Sequence, residues 1–191
     1  MLSHMNKLPG RETVLGFLRT HGTDSETAVL LENARKMIET FHEKFRAVPV
    51  AVRLVEPFPG RWSPQEILDH VVECHRCAPE QLRRVARGEP CTETIRAFVQ
   101  SAAPHAHAWG ALLREFRTIH DEILAAATVL AETPPPAHGL KIEMLYGIEV
   151  DGKVRDKEHR EELDWKAYLE ALRFHLGQHI KQLERTLEQI G

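Results

Sequence analysis

What most restricts the fold of this chain is a run of apolar residues near its end that keeps helical spacing from Trp165 to Ile190. Trp165, Leu169, Leu172, Leu176, His179, Leu183, Leu187 and Ile190 alternate steps of three and four, which places them on one face of a long α-helix. Such a face has to be buried against other elements, and three further segments offer partners. Leu30, Ala34, Met37, Phe41, Phe45 and Val48 repeat at the same spacing until Pro49 ends the pattern. A second helix is predicted from Ser63, with Pro64 at its first position and Glu66 completing a Ser-x-x-Glu capping box. Its apolar face is Ile67, Val71, Ala78, Leu82 and Val85, ending near Gly88. Leu112, Phe116, Ile119, Ile123, Ala127 and Leu130 predict a third helix, stopped by Thr133-Pro-Pro-Pro136. Residues 140–154 have no helical period, and Asp151-Gly152 between Ile148-Glu-Val150 and Val154 signals a short β-hairpin. The expectation is an all-α protein: a four-helix bundle over residues 25–191, with a short hairpin before the last helix. Residues 1–24, with Pro9, Gly10, Gly16 and Gly22, read as an N-terminal arm.

A length of 191 residues suits a single domain with one hydrophobic core. The net charge of -3 argues against nucleic acid as a partner, which would call for a basic face. The longest nearly pure apolar run, Ile123 to Ala131, is far too short to span a bilayer, so no membrane association is expected. No apolar leader follows Met1, and Cys74, Cys77 and Cys91 do not form a disulfide framework. A cytoplasmic location is expected.

Histidine is the unusual residue here, with 12 in the chain. His175 and His179, at i and i+4 on the last helix, share one face closely enough to chelate one metal ion. Pairs at this spacing also arise by chance in a His-rich chain. This pair is distinguished by its place, since His179 occupies the apolar stripe and His175 flanks it. An imidazole facing a core has to be hydrogen-bonded or ligated. A third ligand is available on the second helix at His70 or His75. Helical-wheel arithmetic favours His75, which falls within the apolar face, whereas His70 lies on its flank.

The segment Trp62-Ser-Pro-Gln-Glu-Ile-Leu-Asp-His70-Val-Val-Glu-Cys-His75 resembles the signature of the DinB/YfiT-like superfamily of metalloenzymes. In that pattern a Trp and a helix cap precede a His eight positions on, and the YfiT-like branch adds an acidic residue and a second His, here Glu73 and His75. The other signature, a His-x3-His near the C-terminus with a polar residue three on, corresponds to His175, His179 and Gln182. Thr94-Ile-Arg-Ala-Phe98 resembles a further motif of the branch, with Ala97-Phe98 where the family has Pro-Tyr. The resemblance implies a four-helix bundle, often dimeric, that binds a divalent metal through His70, His175 and His179. It makes Glu73 a candidate general base or supporting residue and Gln182 a candidate orienting residue. Three neutral imidazoles leave the ion its charge and open positions, which lower the pKa of bound water or thiol. Zn or Ni is expected first, with Fe or Mn as alternatives. Relatives act as low-molecular-weight-thiol S-transferases, isomerases or hydrolases, so the expected partners are a small-molecule substrate, a thiol co-substrate and a second copy of the chain.

The competing expectation is a non-catalytic dimeric helical bundle that binds a partner or ligand. Other motifs have plainer readings. Cys74-His-Arg-Cys77 falls within the predicted second helix, away from the strand-to-helix setting of redox CxxC sites. Arg83, Arg84 and Arg87 read as a solvated face, and Trp62 and Glu66 as packing and capping.

Overall fold

The computed structural model describes residues 11–91, 99–133, 140–150 and 153–191. It is mostly helical, with a two-stranded antiparallel sheet. The α-helices are α1 (Arg11–Leu18), α2 (Thr27–Arg46), α3 (Pro64–His75), α4 (Ala78–Ala86), α5 (Trp109–Glu132) and α6 (Trp165–Ile190). The hairpin strands β1 (Ile142–Val150) and β2 (Lys153–Leu163) lie between α5 and α6.

The core forms where the apolar stripes meet. α2 packs on α5 and α6, α3 packs on the same two helices, and α4 lies along α5. Phe41, Phe45 and Phe116 stack at its centre, with ring centroids 4.2 Å and 4.5 Å apart, and all three are fully buried. On α2 the inward residue is Ile38, whereas Met37 turns toward Gly177 of α6.

The predicted second helix is two helices. α3 starts on the expected capping box, with Ser63 and Glu66 exchanging their bonds, and it ends at His75. Pro79 accounts for the break: it has no N–H to give the carbonyl of His75, four residues back, and its ring would clash there. Cys74 therefore lies in the last turn of α3, and Cys77 sits at the break as the N-cap of α4.

Residues 11–23 pack on α6 instead of projecting from the body. α1 runs into a wider π-type turn (Arg19–Thr23), and Gly22 sits so tightly on α6 that a Cβ there would lie 2.7 Å from Ala167 Cα. Thr23 Oγ1 donates to Asp164, the N-cap residue of α6, and Phe17 contacts Phe174.

The hairpin is longer than the turn signal predicts. Ile142 pairs with Leu163 and Val150 with Lys153, with a register shift between Gly147 and Ile148. Asp151 and Gly152, the expected turn, lie outside the described residues, as does the Thr94–Phe98 motif. Among the described residues no helix is long and apolar enough to cross a membrane.

Candidate metal centre

α3 is enclosed on nearly every side, and this decides the geometry of the centre. Ile67, Leu68, Asp69, His70, Val71, Val72, Cys74 and His75 are all buried. The choice between His70 and His75 therefore does not follow from a single apolar face, because both point into the protein. His70 meets α6 directly: its Nε2 lies 3.2 Å from Nε2 of His175. His179, one turn further along α6, brings its own Nε2 to 2.8 Å from the same atom. The three rings form a tight triangle with centroids 4.3 Å, 4.8 Å and 5.2 Å apart. Trp62 stands over the His70 and His179 rings at 4.8 Å and 6.5 Å. It thus covers the centre as well as preceding the cap.

The hydrogen-bond partners assign the protons. A carbonyl can only accept, so His70 Nδ1, 2.7 Å from the Val99 oxygen, carries the hydrogen and leaves His70 Nε2 bare. His179 Nδ1 donates to Gln182 Oε1 at 2.8 Å, which bares His179 Nε2. The same bookkeeping runs through a chain of rings behind His175. His120 Nδ1 donates to the Phe116 carbonyl at 2.7 Å. His120 Nε2 then accepts from His75 Nδ1 at 2.9 Å, and His75 Nε2 accepts from His175 Nδ1 at 2.9 Å. His175 Nε2 is left with a lone pair. The Nε2 lone pairs of His70 and His179 therefore both approach that of His175 to hydrogen-bond distance with no proton between them.

Protonation does not relieve this near neutral pH, because burial disfavours the imidazolium form of every member. Desolvation lowers the pKa of His70, carries His75 and His175 well below the ordinary value, and brings His120 to about 4 and His179 to about 3. A cation between the nitrogens relieves the repulsion. Two nitrogens bound to one tetrahedral zinc at about 2.0–2.1 Å stand roughly 3.4 Å apart, so the observed 3.2 Å and 2.8 Å would open by about 0.2 Å and 0.6 Å.

Cys74 adds a sulfur to the same region: ligand atoms of His70, Cys74 and His175 all lie within 4.8 Å of one another, and this group could hold a metal ion. The sulfur is 3.5 Å from His70 Nδ1 and 3.7 Å from Nε2. Near-equal distances to both ring nitrogens place it against the ring, off the axis of either lone pair. Burial also pushes its thiol up to about 12, so it is a neutral neighbour in this arrangement.

The remaining candidate residues divide. Gln182 is at the centre, orienting His179. Glu73 is held by Arg76, with one contact of 2.5 Å, and Arg76 also bonds Glu115, so the carboxylate is engaged in a surface ion pair. Arg83 and Arg87 pair with Glu80, Glu122 and Glu89, as a solvated face would. His120 was missed in the sequence. Its signal resembles that of His175: a polar residue flanking an apolar stripe, here between Ile119 and Ile123.

The segment that carries the Val99 carbonyl is tied to α3 by the residue before His70, through Ser101. Asp69 is fully buried and accepts from the Ser101 amide at 2.8 Å and the Ser101 hydroxyl at 2.7 Å. Asp69→Ala is expected to cost about 1–3 kcal/mol in urea unfolding, because the Ser101 amide loses its acceptor. Ser101→Ala, which keeps the main-chain bond, is expected to cost less. Equal losses in the two variants would rule out the main-chain clamp.

No protein-family profile matches the chain, and no curated protein or solved structure is significantly similar to it.

Proposed function

We propose that this protein is a metal-dependent enzyme whose centre is one divalent ion held by Nε2 of His70, His175 and His179. The observation that carries the reading is the convergence of three deprotonated Nε2 atoms, fixed by acceptors at the far side of each ring. Each ligand is neutral, each is oriented by a second bond, and two come from one helix at the chelating spacing. On this reading α2, the interrupted pair α3 and α4, α5 and α6 are the members of a four-helix bundle of the DinB/YfiT-like kind, and the protein works as a homodimer in the cytoplasm. Zn or Ni is the first expectation for the ion. When bound, it supplies a positive charge that lowers the pKa of a low-molecular-weight thiol or of water, for S-transfer to, or hydrolysis of, a small-molecule substrate. The chain's own part is to hold three neutral imidazoles in register and, through Trp62, to keep solvent from one side of them.

The test is elemental analysis of untagged protein beside His70→Ala, His179→Ala and Cys74→Ala. About one metal per chain in the wild type, kept without Cys74 but lost without either histidine, is the expected result. Loss with Cys74→Ala and retention with His179→Ala would replace the set by His70, Cys74 and His175. Absence of metal from the wild type even after addition of Zn or Ni would leave the non-catalytic bundle as the better reading.

A further inference from the structure

Behind the centre, His75 and His120 make no approach to the ion-binding nitrogens, yet both are buried and both are fully engaged. Each is 1% exposed, and together with His175 they form a continuous line of rings that ends on the Phe116 carbonyl of α5. A chain of imidazoles can serve as a proton conduit or as a fixed array. Here the terminal group is a main-chain carbonyl within a helix, which accepts hydrogen bonds but has no proton to pass on. The line is therefore fixed, and its direction is set at the Phe116 end.

That direction has a consequence for His175. Which nitrogen of a histidine binds metal is decided by the bond its other nitrogen makes. His175 is half-buried, and among the described residues its partner on the Nδ1 side is His75 Nε2 at 2.9 Å. If His75 carried its proton on Nε2, it would donate to His175 Nδ1, and the His175 proton would move to Nε2, between the other two ligands. His75 is kept from doing so because His120 Nε2 accepts from its Nδ1.

We propose that His75 and His120 are positioning residues that lock His175 in its Nδ1-protonated tautomer, so that Nε2 faces the metal. The inference rests on the three-nitrogen centre described above. It makes a residue on α5, with no contact to the ion, a determinant of metal affinity.

The experiment combines zinc affinity with direct observation of the tautomers. Zinc alone is titrated against a competing chelator for the wild type, His120→Leu and His120→Gln at pH 7.5. Leucine fills the space without an acceptor, whereas the glutamine amide oxygen can still accept from His75 Nδ1. His120→Leu is expected to weaken zinc binding by about 10–100-fold, and His120→Gln to restore most of it. A packing role alone would rank the two the other way. Long-range nitrogen–proton NMR correlations on the metal-free wild type need no variant to fold, and are expected to show His75, His120 and His175 all protonated on Nδ1. An Nε2-protonated His75 or His175, or equal zinc affinity in His120→Leu and wild type, would overturn the lock while leaving the metal centre intact. A wild type that takes up no zinc, or keeps it after His179→Ala, would overturn the centre itself and the lock with it.

Discussion

Metal-free protein is expected to lose stability steeply as the pH falls below 6.5 and to unfold by about pH 5. Four imidazoles are buried and His175 is half-buried, and each of the five has a pKa lowered by desolvation, with His120 near 4 and His179 near 3. In the unfolded chain each returns to about 6.5. Between those values the unfolded state binds more protons than the folded state, so folding stability rises with pH across the window and is fully present above it. Each group that stays neutral in the folded state contributes a slope of about 1.4 kcal/mol per pH unit, so several acting together reach a few kcal/mol per unit. A whole domain has only about 5–15 kcal/mol to lose. Urea midpoints followed by circular dichroism at pH 7.5, 6.5 and 5.5 measure the effect. A midpoint unchanged across that range would show that the histidines are not buried as neutral rings.

Zinc should act in the opposite sense and almost as strongly. A ligand present at about 1,000 times its dissociation constant stabilises the folded state by about 4 kcal/mol. For a chain of this size each kcal/mol raises Tm by about 2–4 °C, so a rise on the order of 10 °C is expected at pH 7.5. The rise should be largely absent from His175→Ala, which removes the nitrogen that both other ligands face. It should survive in Cys74→Ala. Scanning calorimetry with and without added zinc gives both answers, and an equal rise in His175→Ala would place the ion elsewhere.

How far these features were legible in the sequence depended on whether they were local. The stripes of α2, α5 and α6 and the capping box at Ser63 are short-range patterns, and the structure shows helices on all of them. The interruption after His75 is local too. Pro79 marks it, but that proline sits where a helix start is as natural as a helix middle, and the apolar spacing from Ile67 to Val85 passes over it. β2 was legible only at its first residues, because Asp156 to Glu162 is charged and carries no alternation of the usual kind. For the centre, His175 and His179 follow from spacing within one helix. The place of His70 does not, since a wheel assumes one buried face and α3 has neighbours on nearly all of them. The resemblance to DinB/YfiT-like signatures selects His70, and the geometry brings that residue to His175. Glu73 illustrates the limit of such transfer: its partner Arg76 is a property of this chain, and the ion pair holds it at the surface.

The separation of the proposed ligands along the chain has a kinetic side. His70 and His175 are 105 positions apart, and the second and third nitrogens arrive together on the last helix. A polypeptide that has ordered itself only through α5 offers a lone imidazole, which holds divalent ions weakly. Closing so long a loop is among the slower events in the folding of a small domain. On the proposed reading, tight capture of an ion requires α6 to have docked, so the rate of zinc uptake is expected to report that docking.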